Sequence, residues 1–290
     1  SFLQAAGFLK YGNTLKISRA IQALSTGNQR NTTDTYSAVA AAKGAVSTET
    51  SNSPLDAAGD KNKVQIKNLT HFYATQSSID AENHFIARCP GELGNSLKVM
   101  VAFKGGMDTG SDTPINLDVA TLTANFDAKP TSLHTFTAND GTATNVDDEI
   151  HVLIIDENGL ITGTPNNVVE KYQGLSLLSD ATNADGSSNY YYDVINNQSQ
   201  YVFVNKFGNQ LFTGGNASNA GADLRLNQIT AAIDGNGDTD TTSDLGTDNS
   251  GYFKEGLYVD RFTGGQDGTV GKTGYLNAID LFEDTDTVDV

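Results

Sequence analysis

The stretch His151-Val-Leu-Ile-Ile-Asp156, followed by Glu157-Asn158-Gly159 and then Leu160-Ile161-Thr162, constrains this chain more than any other. Four apolar residues between polar ends read as a strand. The Asn-Gly pair supplies the positive φ that a tight turn requires, so 151–162 reads as a β-hairpin. A lone hairpin is only marginally stable in water, and the rest of the chain must therefore supply partners. Its 38% hydrophobic content is low for a compact enzyme and too high for disorder. The 290 residues suffice for one large domain or two ordinary ones.

The partners are short. Residues 63–67 read as a strand, 77–85 as a helix running into a strand over 85–88, and 38–46 as a short helix in an Ala/Ser/Thr-rich stretch. The turn Pro90-Gly-Glu-Leu-Gly-Asn95 precedes Leu97, Val99 and Val101, which alternate as in a half-buried strand. Residues 105–148 read as short strands and loops, 167–172 and 200–204 as strands, and 205–250 as polar loop. A helix is expected over 189–197 with Tyr191, Val194 and Ile195 inward, a strand over 257–262 and a helix over 275–282. No internal repeat of fixed period appears. The class is α+β: a β-rich mixed sheet with flanking helices and long polar insertions.

Charge is uneven. The net value is -17, yet residues 1–104 carry 11 Lys+Arg against 7 Asp+Glu, while 231–290 carry 3 against 13. So acidic a C-terminal part repels phosphate backbones and argues against nucleic-acid binding. The asymmetry fits electrostatic contacts between copies; a solvated acidic face is the plainer reading. The single cysteine, Cys89, excludes a disulfide scaffold and a multi-cysteine zinc site. No stretch approaches the roughly 20 apolar residues that span a bilayer. Phe2, Leu3, Ala6 and Leu9 follow helical spacing, as do Leu276, Ile279 and Phe282 near the other end. Both ends read as the middle of an element, the expectation for a chain cut at each.

Several stretches suggest chemistry. Gly271-Lys272-Thr273 ends a glycine-rich loop between a strand and a helix. A phosphate loop needs a glycine five residues before that Gly-Lys pair, and position 266 is Gln266. Gly274 is also a poor first-turn helix residue. Asp234, Asn236, Asp238 and Asp240 alternate like the first half of a calcium loop, but the twelfth position is Leu245 instead of a bidentate Glu. Neither a catalytic nor a cofactor or metal assignment follows. His71, His84, His134 and His151 do not pair at metal spacing, and His151 reads as an edge residue opening its strand. Arg88 would depress the Cys89 thiol; a buried strand-end thiol is the plainer reading. No Gly-x-Ser-x-Gly elbow occurs, and without tryptophan a sugar cleft has only tyrosine to stack on. The triplet Tyr190-Tyr191-Tyr192 reads equally as a contact surface or as sheet packing.

Four stretches together resemble the tail sheath protein of bacteriophages with contractile tails, of the large myovirus and cyanophage type. FLKYGNTLKISRA (8–20) is similar to the family's F-L-x-Y-G-N-x-L-x-V-x-R-A segment, and ARCPGELGNSLKV (87–99) to its A-x-x-P-G-x-x-G-N-x-L-x-V turn. Residues 148–176 with 185–204 resemble its middle domain. FTGGQDG with the helix after it resembles the Gly-Gly-x-x-Gly loop that opens its C-terminal domain. The resemblance implies that 1–20 and 63–262 form a discontinuous middle domain, 21–62 a reduced outer insertion, and 263–290 a linker and the start of the C-terminal domain. It implies a mechanical, non-enzymatic subunit without cofactor, assembled in the bacterial host cytoplasm and resident in the virion's tail. Its partners would be neighbouring sheath subunits in sixfold rings or a helix, the tail tube protein, and baseplate and tail terminator proteins, with no direct nucleic acid and no membrane insertion. The alternative from the residues alone is an extracellular calcium-dependent adhesion or surface-layer module, built on the Asp234–Asp240 loop and the acidic charge.

Overall fold

The computed structural model describes residues 18–25, 31–41, 64–79, 83–108, 117–137, 143–206, 225–226 and 256–280. In chain order these form β1 (Val39–Ala41), α1 (Leu69–Thr75), β2 (Asn83–Ala87), β3 (Leu97–Ala102), α2 (Leu117–Asn125), β4 (His134–Thr137), β5 (Ala143–Val146), β6 (Glu149–Asp156), β7 (Asn167–Ser176), α3 (Tyr191–Gln198), β8 (Val202–Val204), β9 (Leu257–Arg261) and α4 (Lys272–Asp280). The class is α+β. A three-stranded sheet has the order β1-β2-β8, a four-stranded sheet the order β7-β6-β3-β9, and β4 pairs with β5. Every one of these strand pairs is antiparallel.

Three apolar clusters define the layers. Phe85, Ala87, Val202 and Val204 of the smaller sheet meet Val99, Val101, Val152 and Ile154 of the larger one in a central core, joined by Tyr191 and Ile195 of α3. The opposite face of the smaller sheet, with Val39, Ile86 and Phe203, packs on Phe72 of α1 and on Val64 and Ile66. The opposite face of the larger sheet, with Met100, Leu153 and Ile155, packs on Leu122 of α2, Phe126 and Met107. Two sheets are therefore stacked with a helix on each outer side. This explains why β3 is buried at all six positions, where alternation alone anticipates one solvated face.

Other departures have local causes. Residues 39–41 form a strand, not a helix; Val39 pairs with Ile86 and Ala40 with Phe85, so tertiary pairing overrides the alanine preference for helix. Val64 and Ile66 alternate inward without joining a ladder: the Val64 carbonyl accepts from Ser37 N–H, and Ile66 N–H donates to the Ser37 hydroxyl. The helix expected over 77–85 lies earlier, as α1. Asn68 caps it by accepting from His71 N–H at 2.8 Å, a 3-10 turn spans Gln76–Ser78, and β2 starts at Asn83. The PGELGN turn holds a 3-10 helix, Glu92–Ser96. Helix α2 arises inside the stretch read as strands and loops. The hairpin of β6 pairs with β7, not with 160–162, which lie in the connecting loop. Gly159 does take φ +73° there.

Candidate functional site

Three of the stretches that carry the family resemblance meet at one place. Arg19 stands one residue from the end of the first, Pro90 to Asn95 form the turn of the second, and Gly264 to Gly268 form the loop of the third. Arg19 donates to the Pro90 carbonyl and pairs with Asp267 at 2.8 Å. The same Asp267 oxygen accepts from Glu92 N–H at 3.1 Å. Asn95 grips Gly265 on both sides: its Nδ2 donates to the Gly265 carbonyl at 2.9 Å, and its Oδ1 accepts from Gly265 N–H at 2.8 Å.

Two glycines permit this approach. Gly91 has φ +123°, where L side chains rarely go, and a Cβ there would sit 2.3 Å from Asp267 Oδ1. A Cβ on Gly265 would sit 2.3 Å from the Gly91 carbonyl oxygen. At Gly265 the nearest contact is backbone against backbone, so no side-chain rotation relieves a substitution there; at Gly91 the atoms in the way are the Asp267 carboxylate and the Arg19 guanidinium, and the positive φ is the stricter constraint. The Arg19–Asp267 ion pair itself is half exposed at both ends, which makes it a register device and not a large stability term.

On both sides of Asp267 the loop is sewn to residues 22–39. Tyr36 and Gln266 exchange two backbone bonds, Thr263 and Val39 another two, and Thr269 N–H donates to the Thr33 carbonyl at 2.7 Å. Gly271 N–H donates to the Gln22 side chain. Behind it, the Asp34 carboxylate accepts from Ser25 N–H, the Ser25 hydroxyl and Tyr36 O–H.

This disposes the phosphate-loop candidate. Helix α4 does begin at Lys272, against the expectation from Gly274. The N–H groups of Thr263, Gly265, Gln266, Thr269 and Gly271 nevertheless donate to the chain's own oxygens. They are spread along an extended seam and do not converge on one point, as phosphate binding demands.

The remaining candidates are placed as follows. Asp234 to Asp240 lie outside the described residues. His151 is buried in a central strand, not at an edge; its Nδ1 accepts from Gly174 N–H and its Nε2 faces the Ala128 carbonyl, both at 3.1 Å. His134 Nδ1 lies 2.7 Å from Asp148, which also accepts from Ser176 and from Leu133 and His134 N–H. The carboxylate stands between serine and imidazole, whereas nucleophilic activation needs the imidazole in the middle. His84 is buried beside Tyr191, and His71 sits in the first turn of α1. Cys89 is exposed, not buried. Tyr190, Tyr191 and Tyr192 are all buried, which is the packing reading. Among the described residues no three His, Cys, Asp or Glu side chains gather to hold a metal ion.

Two carboxylate hubs were invisible in sequence. Asp156 accepts from Ser96 Oγ, Ile161 N–H, Thr162 N–H and Thr162 Oγ1, closing the β6–β7 loop. Burial pushes this carboxyl up, but the bonds from Ser96, Thr162 and Ile161 outweigh it and hold it below the usual range. Glu157 lies against Arg261 and, at 3.7 Å, Lys98, whose amine also meets Asp118 at 3.1 Å. Glu157 is the chief cause that raises the Arg261 guanidinium's pKa.

Compared with known proteins, the chain matches no family model and no curated protein sequence.

Proposed function

We propose that this chain is a structural subunit of a contractile phage tail sheath, polymerising around the tail tube and repacking to drive the tube through the host envelope. The observation that carries the reading is the junction of Arg19, Asn95, Gly265 and Asp267. Separate stretches, 8–20, 87–99 and 262–268, each resemble a sheath segment, and residues from all three are bonded to one another. Unrelated chance matches have no reason to meet in space.

The work of such a subunit is mechanical. Free energy stored at assembly is released when rigid subunits exchange one contact set for another. No catalytic group and no cofactor is required. The partners are further sheath subunits, the tube, and the baseplate and terminator proteins; the place is the virion. Opposite charge at the two ends of the sequence suits contacts between copies.

Electron microscopy of the isolated material tests this. Hollow cylinders of sixfold rings are the expected result. Discrete compact particles at every concentration and salt condition tried would remove the proposal.

A further inference from the structure

The ladder between β6 and β7 is interrupted beside a buried imidazole. Ile150 pairs with Leu175 and Val152 with Tyr172, so Gln173 and Gly174 together face His151 alone. Such a bulge leaves a backbone group without its ladder partner. Here the Gly174 N–H, at a glycine with φ +72°, donates instead to His151 Nδ1 at 3.1 Å. On the other side of the ring, Nε2 lies 3.1 Å from the Ala128 carbonyl. An amide N–H only donates and a carbonyl only accepts. The two partners therefore fix the neutral tautomer, with its proton on Nε2.

A second proton can go only to Nδ1, where it meets the Gly174 N–H head on. An alternative partner stands close by. Glu149, two residues earlier on the same face of β6, holds its Oε1 3.8 Å from His151 Nδ1, too far for a hydrogen bond. The same oxygen lines the bulge, 3.4 Å from where a Cβ on Gly174 would sit. Its Oε2 is anchored by Thr131 N–H and Thr131 Oγ1, both at 2.7 Å. An approach of about 1 Å brings Oε1 to the roughly 2.8 Å of a charge-assisted bond. The charges on the other packed elements have partners or face outward. After α2, the Phe126 ring lies 4.7 Å from the imidazole, Lys129 pairs with Asp108 and Asp127 is exposed. On β7, Lys171 donates to the Asn125 carbonyl, and Glu170 accepts from Ser199 and Gln200. On β3, Ala102 stands opposite His151, and Lys104 beyond it pairs with Asp147.

We propose that His151 is a proton-operated clasp on β7. Neutral, it holds the Gly174 amide; protonated, it turns Nδ1–H to Glu149 and releases the bulge. The Ala128 bond persists in both states, so the ring stays in place while one partner is exchanged for another. Histidine is the side chain that ordinarily changes charge nearest neutral pH. The Gly174 bond is therefore present at the higher pH and is lost as pH falls. The Gly174 carbonyl accepts from Asn189 Nδ2, and Ser176 N–H donates to the Asn189 carbonyl. Release at Gly174 thus loosens the seam between β7 and the chain entering α3. This inference does not depend on the tail-sheath reading and stands or falls separately.

Hydrogen exchange with nitrogen-15 NMR on the 290-residue chain tests it. After correction for the intrinsic pH dependence, exchange of the Gly174 amide is expected to speed roughly tenfold or more between about pH 8 and about pH 5. The Val99 and Val101 amides of β3 should stay protected over that range, which reports an intact fold. His151→Phe is expected to leave Gly174 equally unprotected at both pH values. Glu149→Gln, which keeps the imidazole, is expected to preserve protection at the higher pH and to move its loss to lower pH. Gly174 protection that is constant across the range would overturn the proposal, as would a loss that Glu149→Gln leaves in place. Ring nitrogen shifts that put the proton on Nδ1 at about pH 8 would overturn it too. A loss shared equally by Val99 and Val101 would show general acid unfolding and overturn a local clasp.

Discussion

Single residues fix the geometry of this chain where backbones come too close for side chains. Gly265 lies against the Gly91 carbonyl and between the two arms of the Asn95 amide. Gly265→Ala is expected to cost about 1–3 kcal/mol, the range for overpacking, read as a lower urea midpoint at unchanged slope. Asp156 acts through charge. Its folded pKa lies below the unfolded value of about 3.9. Its contribution is therefore present above that unfolded value and is lost as pH falls through the folded pKa. Asp156→Asn is expected to lower stability at pH 7 by about 1.5–3 kcal/mol, as hydrogen bonds to a charged group are lost. The gap between variant and parent should narrow in urea titrations repeated below pH 4; a gap that stays constant would show the charge to be irrelevant. Neither role is legible in sequence. Asp156 reads there only as the polar end of a strand, because its donors at Ser96 and Thr162 arrive from elsewhere in the chain.

At the scale of elements, legibility follows burial. Strands β3, β6, β7, β8 and β9 and helix α3 stand close to where their apolar residues put them, although β3, β6 and β8 are buried on both faces, more than alternation anticipates. Helix α2 does not announce itself: Thr121, Thr123 and Asn125 are ordinary loop residues. It forms where Leu122 can cover Met100 and Leu153, with Asp118 in its first turn, favourably placed for the helix dipole. Helix α1 is likewise secured from outside, by Phe72 stacked on Phe203 of β8 at 4.7 Å between ring centroids. Phe203→Ala is expected to cost about 3–5 kcal/mol and to unprotect α1 amides in hydrogen exchange before those of β6. At the loop before α4, Lys272→Ala is expected to leave stability unchanged, since this exposed lysine stands beside N–H groups already bonded. Neither parent nor variant should shift in melting temperature with millimolar nucleotide; a shift in the parent lost in the variant would restore the phosphate loop.

At the scale of the whole molecule, the stacked sheets place the two resemblance-bearing turns, 90–95 and 264–268, side by side although roughly 170 residues separate them. If assembly exploits the opposite charge of the two ends, raising salt from 50 to 500 mM should weaken association between copies, as screening shortens the reach of surface charges. Sedimentation at the two salt concentrations measures it. Millimolar calcium should leave the melting temperature unchanged; a rise would point to a native-state calcium site and favour the adhesion reading. The amino-acid sequence by itself determined the α+β class, the strands with strong apolar patterns and the turns that need glycine, because these depend on local backbone sterics and on periodicity. Only the tertiary structure decided that alanine-rich 39–41 is a strand, that His151 is buried, that the three tyrosines pack inward, and that Arg19, Asn95, Gly265 and Asp267 share one junction. Those outcomes depend on which surfaces meet across the chain, and local spacing carries no record of that.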